Sequence, residues 1–396
     1  MNENYYTTEV NKTTWVIPER YMGLCHIGAG TYGSVWLVYS TFTFAFSVET
    51  GLNTSMALCC RGDFTASSAT DYGVDPPRKV AIKQFNRPFQ SVVHAKRTYR
   101  ELRLLRHMKH ENVIELFDCF TPDSTPATFN SLYLVTELMD RDLRQVVKES
   151  GALSENHVRL FVYEILRGLK YVHSCGVIHR DLKPANIAIR RTDSEGLPVV
   201  KILDFGLARP ADEESMTGYV ATRWYRAPEI MLNWMHYKQN MDVWSVGCIM
   251  AELLRGKPLF PGKTQIDQLS QTLDLLGTPG PEFLAKIESA EARKYIANLP
   301  KQDGKDFQQV FGNVSVEAAD FMSKLIVLDP DERYSIEQAL SHPFLELYRM
   351  PSDEPVATEC IEDATEHLVT STTQWRSVIW EEITEFRASL PVPMTP

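Results

Sequence analysis

The chain has 396 residues, of which 44% are apolar and 23% charged, and a formal net charge of -10. This composition can build one large core or two modest ones and is not that of a disordered chain. The acidic balance excludes broad electrostatic attraction to nucleic acid or anionic lipid, although a nucleotide could still bind at a locally basic site.

The seven cysteines, Cys25, Cys59, Cys60, Cys119, Cys175, Cys248 and Cys360, are odd in number and form no C-x-x-C pair. They read as free thiols of a reducing compartment, not as a disulfide framework or a zinc site. The stretch Met1–Trp15 is polar and has no apolar run behind a basic start, so it does not read as a signal peptide. No later segment has the length of a membrane span. Cytoplasm and nucleus are the expected locations.

The first 20 residues read as an N-terminal extension, followed by a first lobe over 21–138 made mostly of strands. Its marks are the Gly-rich turn Gly28–Gly33, the alternation of Val35 and Leu37, the run Val80-Ala81-Ile82 and the run Leu132–Val135. Between the last two, Val93, Leu102, Leu105 and Met108 sit near helical spacing among basic residues, which predicts one helix over Val92–Met108. Ser40–Arg78 joins two predicted strands by a connection far longer than hairpins use, and reads as an atypical insertion. Within it Thr41–Phe46 alternates like a strand, whereas Thr65–Thr70 is small and polar.

A second lobe over 139–345 reads as helices, with the hinge at Thr136–Asp142. Ser154 is a candidate N-cap ahead of Val158, Val162, Ile165, Leu166, Leu169 and Val172. Further helices are predicted over Asp242–Leu254, Val316–Leu328 and Ile336–Leu345. In the C-terminal extension 346–396, Leu368, Trp375, Ile379, Trp380 and Ile383 predict a helix packed back on the body. The fold class is therefore α+β, with a small, mostly antiparallel sheet and one main helix in the first lobe and a larger helical second lobe.

Gly28-x-Gly30-x-x-Gly33-x-Val35 lies between two predicted strands, which argues against a dinucleotide-binding turn, since that needs a strand before it and a helix after. In a hairpin, such glycines let main-chain N–H groups approach phosphate oxygens while Val35 packs on adenine. Alone, the run reads as an ordinary Gly-rich turn. Its meaning comes from the residues that follow in order: Lys83 after Val80-Ala81-Ile82, Glu101 on the predicted helix, His179-Arg180-Asp181, Asn186, and Asp204-Phe205-Gly206.

In that set Lys83 brings positive charge to the α- and β-phosphates and Glu101 holds it by an ion pair. Asp181 orients or accepts the proton of a substrate hydroxyl. Asn186 and Asp204 offer oxygen ligands to magnesium, and the metal and Lys183 offset charge on the transferred phosphoryl. Any one of these side chains by itself would read as a solvated surface group, so each assignment depends on the set.

At these motifs the chain resembles the protein kinases. Asp181-Leu182-Lys183-Pro184 resembles their serine/threonine branch, as does Thr222 ahead of Ala227-Pro228-Glu229. The resemblance implies ATP and Mg2+ as cofactors, with Gly28, Gly30, Gly33, Val35, Ala81, Lys83 and Glu101 around the nucleotide. Thr136 would limit the depth of the adenine pocket, and Glu137 to Met139 would present main-chain groups to the base. Asp242 would support the catalytic loop, and Glu229 would pair with Arg333.

Thr217-Gly218-Tyr219 and the run Gln90–Glu101 resemble the stress-activated subgroup of mitogen-activated protein kinases, over about Trp15 to Phe386. Extracellular-signal-regulated kinases carry Glu and Jun kinases Pro between the Thr and the Tyr, so Gly218 discriminates. The segment at about 260–310 resembles the insert of the mitogen-activated kinases. The resemblance implies phosphorylation of Thr217 and Tyr219 by a dual-specificity kinase upstream. Arg97, Arg100 and Arg180 would receive the first phosphate, and Arg223 and Arg226 the second.

It further implies Ser/Thr-Pro protein substrates, a monomeric enzyme, and no direct contact with nucleic acid or membrane. Asp329, Asp331 and Glu332 resemble a docking site for basic peptides of activators, substrates and phosphatases, with a solvated acidic turn as the alternative. Arg190-Arg191 stands where the subgroup has acidic docking residues. A catalytically impaired docking scaffold is the competing reading, favoured only by the insertion ahead of Lys83.

Overall fold

Trp15 and Ile17, Val80 and Ile82, and Tyr133 and Val135 alternate along three short runs, and a strand with that period places each pair on one face. In the computed structural model all six side chains are buried in one shared core with Tyr21, Ala69 and Phe120. The structure describes residues 4–30, 64–85, 87–191, 196–210, 223–232, 238–361 and 365–390. They fall into two compact units. One comprises the residues through Arg106, Glu115–Asp140 and those from Thr365 onward; the other comprises His107–Ile114 and the described residues from Arg141 up to that last segment.

The first unit opens with a hairpin of β1 (Tyr5–Val10) and β2 (Thr13–Pro18), turned through Asn11 and Lys12 at positive φ. Far from being a loose extension, this hairpin supplies Trp15 and Ile17 to the core. An antiparallel five-stranded sheet follows, built from β3 (Tyr21–Gly30), β4 (Phe64–Asp71), β5 (Arg78–Phe85), β6 (Leu116–Phe120) and β7 (Leu132–Glu137) in the order β3-β4-β5-β7-β6. Helix α1 (Val92–His107) connects β5 to β6 and buries Leu102 and Leu105 as the periodicity predicts, whereas Val93 is 42% exposed.

Strand β4 corrects the reading of Ser40–Arg78 as an insertion. Phe64–Asp71 pairs with β3 from Gly30↔Phe64 to Tyr21↔Asp71 and with β5 along its whole length. Its sequence, Phe-Thr-Ala-Ser-Ser-Ala-Thr-Asp, lacks the β-branched and aromatic run that marks strands. Two flanking ladders satisfy its main chain, and Ala66, Ser67 and Ala69 are buried. The extra length is thus confined between Gly30 and Phe64. The strand expected at Val35 and Leu37, and the alternating Thr41–Phe46, lie outside the described residues.

The second unit contains two small sheets, β11-β10-β8 and β12-β9, formed by β8 (Arg141–Asp142), β9 (Val177–Ile178), β10 (Ile187–Arg190), β11 (Val199–Ile202) and β12 (Arg209–Pro210). Around them lie α2 (Leu143–Ser150), α3 (Glu155–Ser174), α4 (Pro228–Met231) and α5 (Asn240–Arg255). Ser154 caps α3 as expected, accepting from the main-chain N–H of His157. Helix α5 is buried on every side from Met241 to Leu253.

The segment read as an insert folds as α6 (Gln265–Leu276), α7 (Pro281–Lys286), α8 (Ala290–Ala297) and α9 (Phe307–Phe311). Leu269, Leu273, Phe283, Ile287 and Ile296 close a separate small core there with Leu232. Helices α10 (Val316–Leu325) and α11 (Ile336–Leu340) complete this unit. Among the described residues no helix is long and apolar enough to cross a membrane.

The chain then returns to the first unit with α12 (Thr365–Leu368) and α13 (Thr372–Ser389). Trp375, Ile379, Ile383 and Phe386 recur with helical period and are buried, while Leu368, expected among them, is 76% exposed. The Trp375 ring lies 5.0 Å from that of Tyr99 on α1, and Glu382 pairs with Arg103 at 2.8 Å and Arg106 at 2.6 Å. The basic face of α1 is therefore covered by the C-terminal helix. Removing the indole by Trp375→Ala is expected to lower stability by about 3–5 kcal/mol, measured by urea unfolding followed by circular dichroism.

Candidate active site

In the first unit, Val80 and Ile82 face the core, so the pleat puts Ala81 and Lys83 on the other face of β5. Lys83 Nζ lies 2.5 Å from Glu101 Oε1 of α1, and Glu101 is 5% exposed. Such a pair is hard to break from one side, because the buried carboxylate would lose its ion-pair cation. On the adjoining strand Thr136 pairs with Ala81 and Glu137 with Val80, and Met139 is buried just beyond. The Glu137 carboxylate accepts from the Glu115 main-chain N–H at 3.2 Å. Gly28 and Gly30 lie on β3, opposite Ala66 and Phe64; Gly33 and Val35 lie outside the described residues.

In the second unit, β9 leads into His179-Arg180-Asp181. Arg180 has φ 69° and Asp204 φ 61°, a left-handed backbone that only surrounding contacts hold in a non-glycine residue. The contacts at Arg180 come from Asp242 on α5. Its carboxylate, buried completely, accepts from the main-chain N–H groups of His179 at 2.8 Å and Arg180 at 2.9 Å, and its Oδ2 lies 2.9 Å from His173 Nε2 on α3. Burial pushes the Asp242 carboxyl up, but the hydrogen bonds and positive potential from His173, His179 and the Arg180 N–H outweigh it and hold the group below the usual carboxylate range.

The loop so fixed brings three predicted side chains together. Asp181 Oδ2 lies 2.6 Å from Lys183 Nζ, and Asn186 Nδ2 donates to the Asp181 carbonyl at 2.8 Å and to Oδ2 at 3.2 Å. All three residues are buried. His179 connects this loop to the next motif: its Nδ1 accepts from the Asp181 N–H at 3.3 Å and its Nε2 donates to the Leu203 carbonyl at 2.9 Å. The Leu203 N–H donates to the Asn186 carbonyl at 2.8 Å, which sets Asp204 beside Asn186 in the chain path. Phe205 is buried edge-on against His179, and the Asp204 carboxylate accepts from the Gly206 N–H at 3.3 Å.

The donor set suits a hard divalent cation. With its amide nitrogen turned to Asp181, Asn186 keeps its carbonyl oxygen as the acceptor, and Asp204 adds carboxylate oxygens. Two such ligands are what a cation needs when phosphates and water complete its shell. Among the described residues no group of three or more His, Cys, Asp or Glu could hold a metal by itself.

The expected phosphate receptors are divided between the two units. Arg100 is 4% exposed and forms a two-pronged ion pair with Glu366 of α12, while Lys96 donates to the Glu366 carbonyl at 2.7 Å. Arg223 donates to the Lys263 carbonyl at 3.0 Å. Burial holds the Arg226 guanidinium below its usual value, against the attraction of Asp181, with Arg223 adding to the depression. Arg97 and Arg180 complete the expected set, on α1 and ahead of Asp181; Thr217, Tyr219 and Thr222 lie outside the described residues.

Glu229 and Arg333 form the expected buried ion pair, with contacts of 2.8 and 3.0 Å. The acidic turn is less simply acidic than its sequence: Lys286 Nζ lies 2.7 Å from both Asp329 and Asp331, and Lys238 Nζ 2.5 Å from Asp331. Hydrogen bonds from Lys238 and Lys286 pull the Asp331 carboxyl down to about 2. Sequence reasoning missed these lysines, Glu366 and His173, because each meets its partner across a long chain separation that no local motif records.

Because its folded-state carboxyl is depressed, Asp242 contributes stability above the unfolded aspartate range near pH 4, and that contribution is lost as pH falls through the lower folded value. Asp242→Asn should therefore cost about 3 kcal/mol at pH 7, and the gap from the parent should narrow as the pH is lowered from about 4. Urea titrations of both proteins across that range measure it. A gap independent of pH would contradict the depressed carboxyl.

Comparison with known proteins agrees with this geometry. The protein kinase domain family matches residues 69–345. The chain is 48% identical to mitogen-activated protein kinase pmk-1 of Caenorhabditis elegans, over 98% of this chain and 92% of the relative. It is 48% identical to mitogen-activated protein kinase 14 of Xenopus laevis, over 99% and 97%, and 47% identical to mitogen-activated protein kinase p38b of Drosophila melanogaster, over 97% and 94%. Use of ATP and a divalent metal, an upstream kinase kinase and protein substrates come with the family. The chain belongs to the mitogen-activated protein kinases and is a serine/threonine protein kinase of the protein kinase domain family.

Proposed function

We propose that the chain transfers the γ-phosphoryl group of magnesium-bound ATP to Ser or Thr followed by Pro, in a stress cascade, after a dual-specificity kinase phosphorylates Thr217 and Tyr219. The observation that carries this reading is the buried cluster of Asp181, Lys183 and Asn186 on a loop held by Asp242. Asp181 orients the substrate hydroxyl and accepts its proton as the bond to phosphorus forms. Lys183, 2.6 Å from that carboxylate, offsets charge on the transferring oxygens. Lys83, kept in place by Glu101, does the same for the α- and β-phosphates. Asn186 and Asp204 hold the magnesium ion, which supplies charge neutralisation to the phosphates.

Each added phosphate brings about -1.5 to -2 charge, so the ordered state of the phosphorylated loop calls for arginines. Arg100 joins Arg97 and Arg180 on phosphorylated Thr217 only by exchanging the carboxylate of Glu366 for the phosphate. Arg223 and Arg226 serve phosphorylated Tyr219. The enzyme acts as a monomer in cytoplasm and nucleus.

The test is transfer of phosphate to a Ser/Thr-Pro peptide by protein treated with an activating kinase kinase. Asp181→Ala is expected to reduce turnover by about a thousandfold or more, and Thr217→Ala with Tyr219→Phe to remove the response to the activator. Undiminished transfer by Asp181→Ala would overturn the mechanism.

Docking of basic peptides at Asp329, Asp331 and Glu332 competes with Lys286, whose removal takes one cation from both Asp329 and Asp331. Lys286→Ala is expected to tighten a fluorescent basic peptide about threefold at low salt, and Asp329→Asn with Asp331→Asn to weaken it. Fluorescence anisotropy reads both; equal affinity in all three proteins would remove docking from this turn.

A further inference from the structure

The end of α3 and the strap that follows α11 bring two thiols side by side. Arg167 and Lys170 of α3 pair with Asp353 at 2.8 Å and Glu354 at 2.9 Å. Further along, the Ala357 N–H donates to Ser174 Oγ at 2.7 Å and the Ile361 N–H to the Cys175 carbonyl at 2.9 Å. These contacts register residues 353–361 along the helix and stop at its last residues. Cys360 is exposed, with Sγ 3.7 Å from the Ser174 carbonyl; Cys175, the C-cap of α3, is 2% exposed.

The residue between Cys175 and β9 is Gly176, at φ 77°. A Cβ there would lie 3.7 Å from both Cβ and Sγ of Cys360, so the Cys360 side chain rests over this glycine. The Ile361 to Cys175 main-chain bond puts the two cysteine backbones next to one another.

We propose that Cys360 and Cys175 are a peroxide-responsive thiol pair, which closes to a disulfide that fastens the 353–361 strap to the end of α3. The exposed Cys360 reacts first: its thiolate attacks one oxygen of a hydroperoxide, the O–O bond breaks, and the leaving oxygen takes a proton. Cys360 is then a sulfenic acid. The Cys175 sulfur, giving up its proton, attacks the Cys360 sulfur; the S–O bond breaks and water leaves as the S–S bond forms. With hydrogen peroxide, two thiols are oxidised by two electrons in total and one peroxide is reduced to two waters.

The surroundings suit this order of events. Burial pushes the Cys175 thiol up to about 11, against the hydrogen bond of Tyr171, and negative charge on Cys360 pushes it further. Cys175 is thus a poor first nucleophile and reacts once the adjacent sulfur has become electrophilic. Cys119 and Cys248 are buried completely, and burial raises both thiols. The cross-link lands directly ahead of β9 and the His179-Arg180-Asp181 loop, and it depends on no step of phosphoryl transfer.

The test treats reduced full-length protein with a small molar excess of hydrogen peroxide, then maps peptides by mass spectrometry without reductant. A Cys175–Cys360 cross-linked peptide is expected, lost on adding dithiothreitol and absent from Cys360→Ser. The melting temperature should rise by about 5 °C and return on reduction, because the closed loop restricts the unfolded chain. Cys175→Ser should leave Cys360 as a sulfenic acid that dimedone captures. The proposal is overturned if parent protein carries Cys360 to the sulfinic acid, or into a bond between two molecules, while Cys175 stays open to alkylation after denaturation.

Discussion

The carboxylate of Asp242 is a charge taken fully out of water, a state that costs several kcal/mol unless donors replace the lost hydration. The donors are His173 from α3 and the consecutive main-chain N–H groups of His179 and Arg180. This arrangement joins two long helices, α3 and α5, to one turn of loop, and it makes the left-handed backbone of Arg180 tenable. Everything chemically useful in the second unit hangs from that turn. Asp181 follows immediately, Lys183 and Asn186 fold back onto it, and His179 passes the constraint to Leu203 ahead of Asp204.

Helix α1 has a comparable part in the first unit, but its constraints come from both sides. Glu101 holds Lys83 of the sheet, and Arg100, Arg103 and Arg106 of the same helix hold Glu366 and Glu382 of α12 and α13. The C-terminal helices therefore pack on the same helix that carries the glutamate of the lysine–glutamate pair. Tyr99, its ring tilted against that of Trp375, supplies the apolar part of that contact, where burial counts for more than the partly exposed ion pairs. Glu366 occupies the Arg100 guanidinium, so this arginine is held by the tail.

The same motif residues read differently once their neighbours are known. Asp329 and Asp331 form an acidic run in sequence, yet Lys238 and Lys286 lie against them, so the turn presents less net charge than its composition implies. Thr65–Thr70 is small and polar in sequence, yet it lies in an interior strand of the sheet, because a neighbour on each side supplies its hydrogen bonds.

Whatever is written in local order was legible from the residues alone. The run Val80-Ala81-Ile82 marked a strand ending at Lys83; helical period and Ser154 placed α3; fixed spacing identified Asp181, Lys183, Asn186 and Asp204. These are short-range properties of a polymer with a period of two or of 3.6 residues, and of a loop too short to vary. The folded chain was needed to show that β4 belongs to the sheet, that β1 and β2 complete its core, that Glu366 holds Arg100, that two lysines cover the acidic turn, and that Cys175 meets Cys360. In each of these the partners lie far apart in the chain, and their meeting is set by packing and charge summed over the fold, a quantity that no window of residues contains.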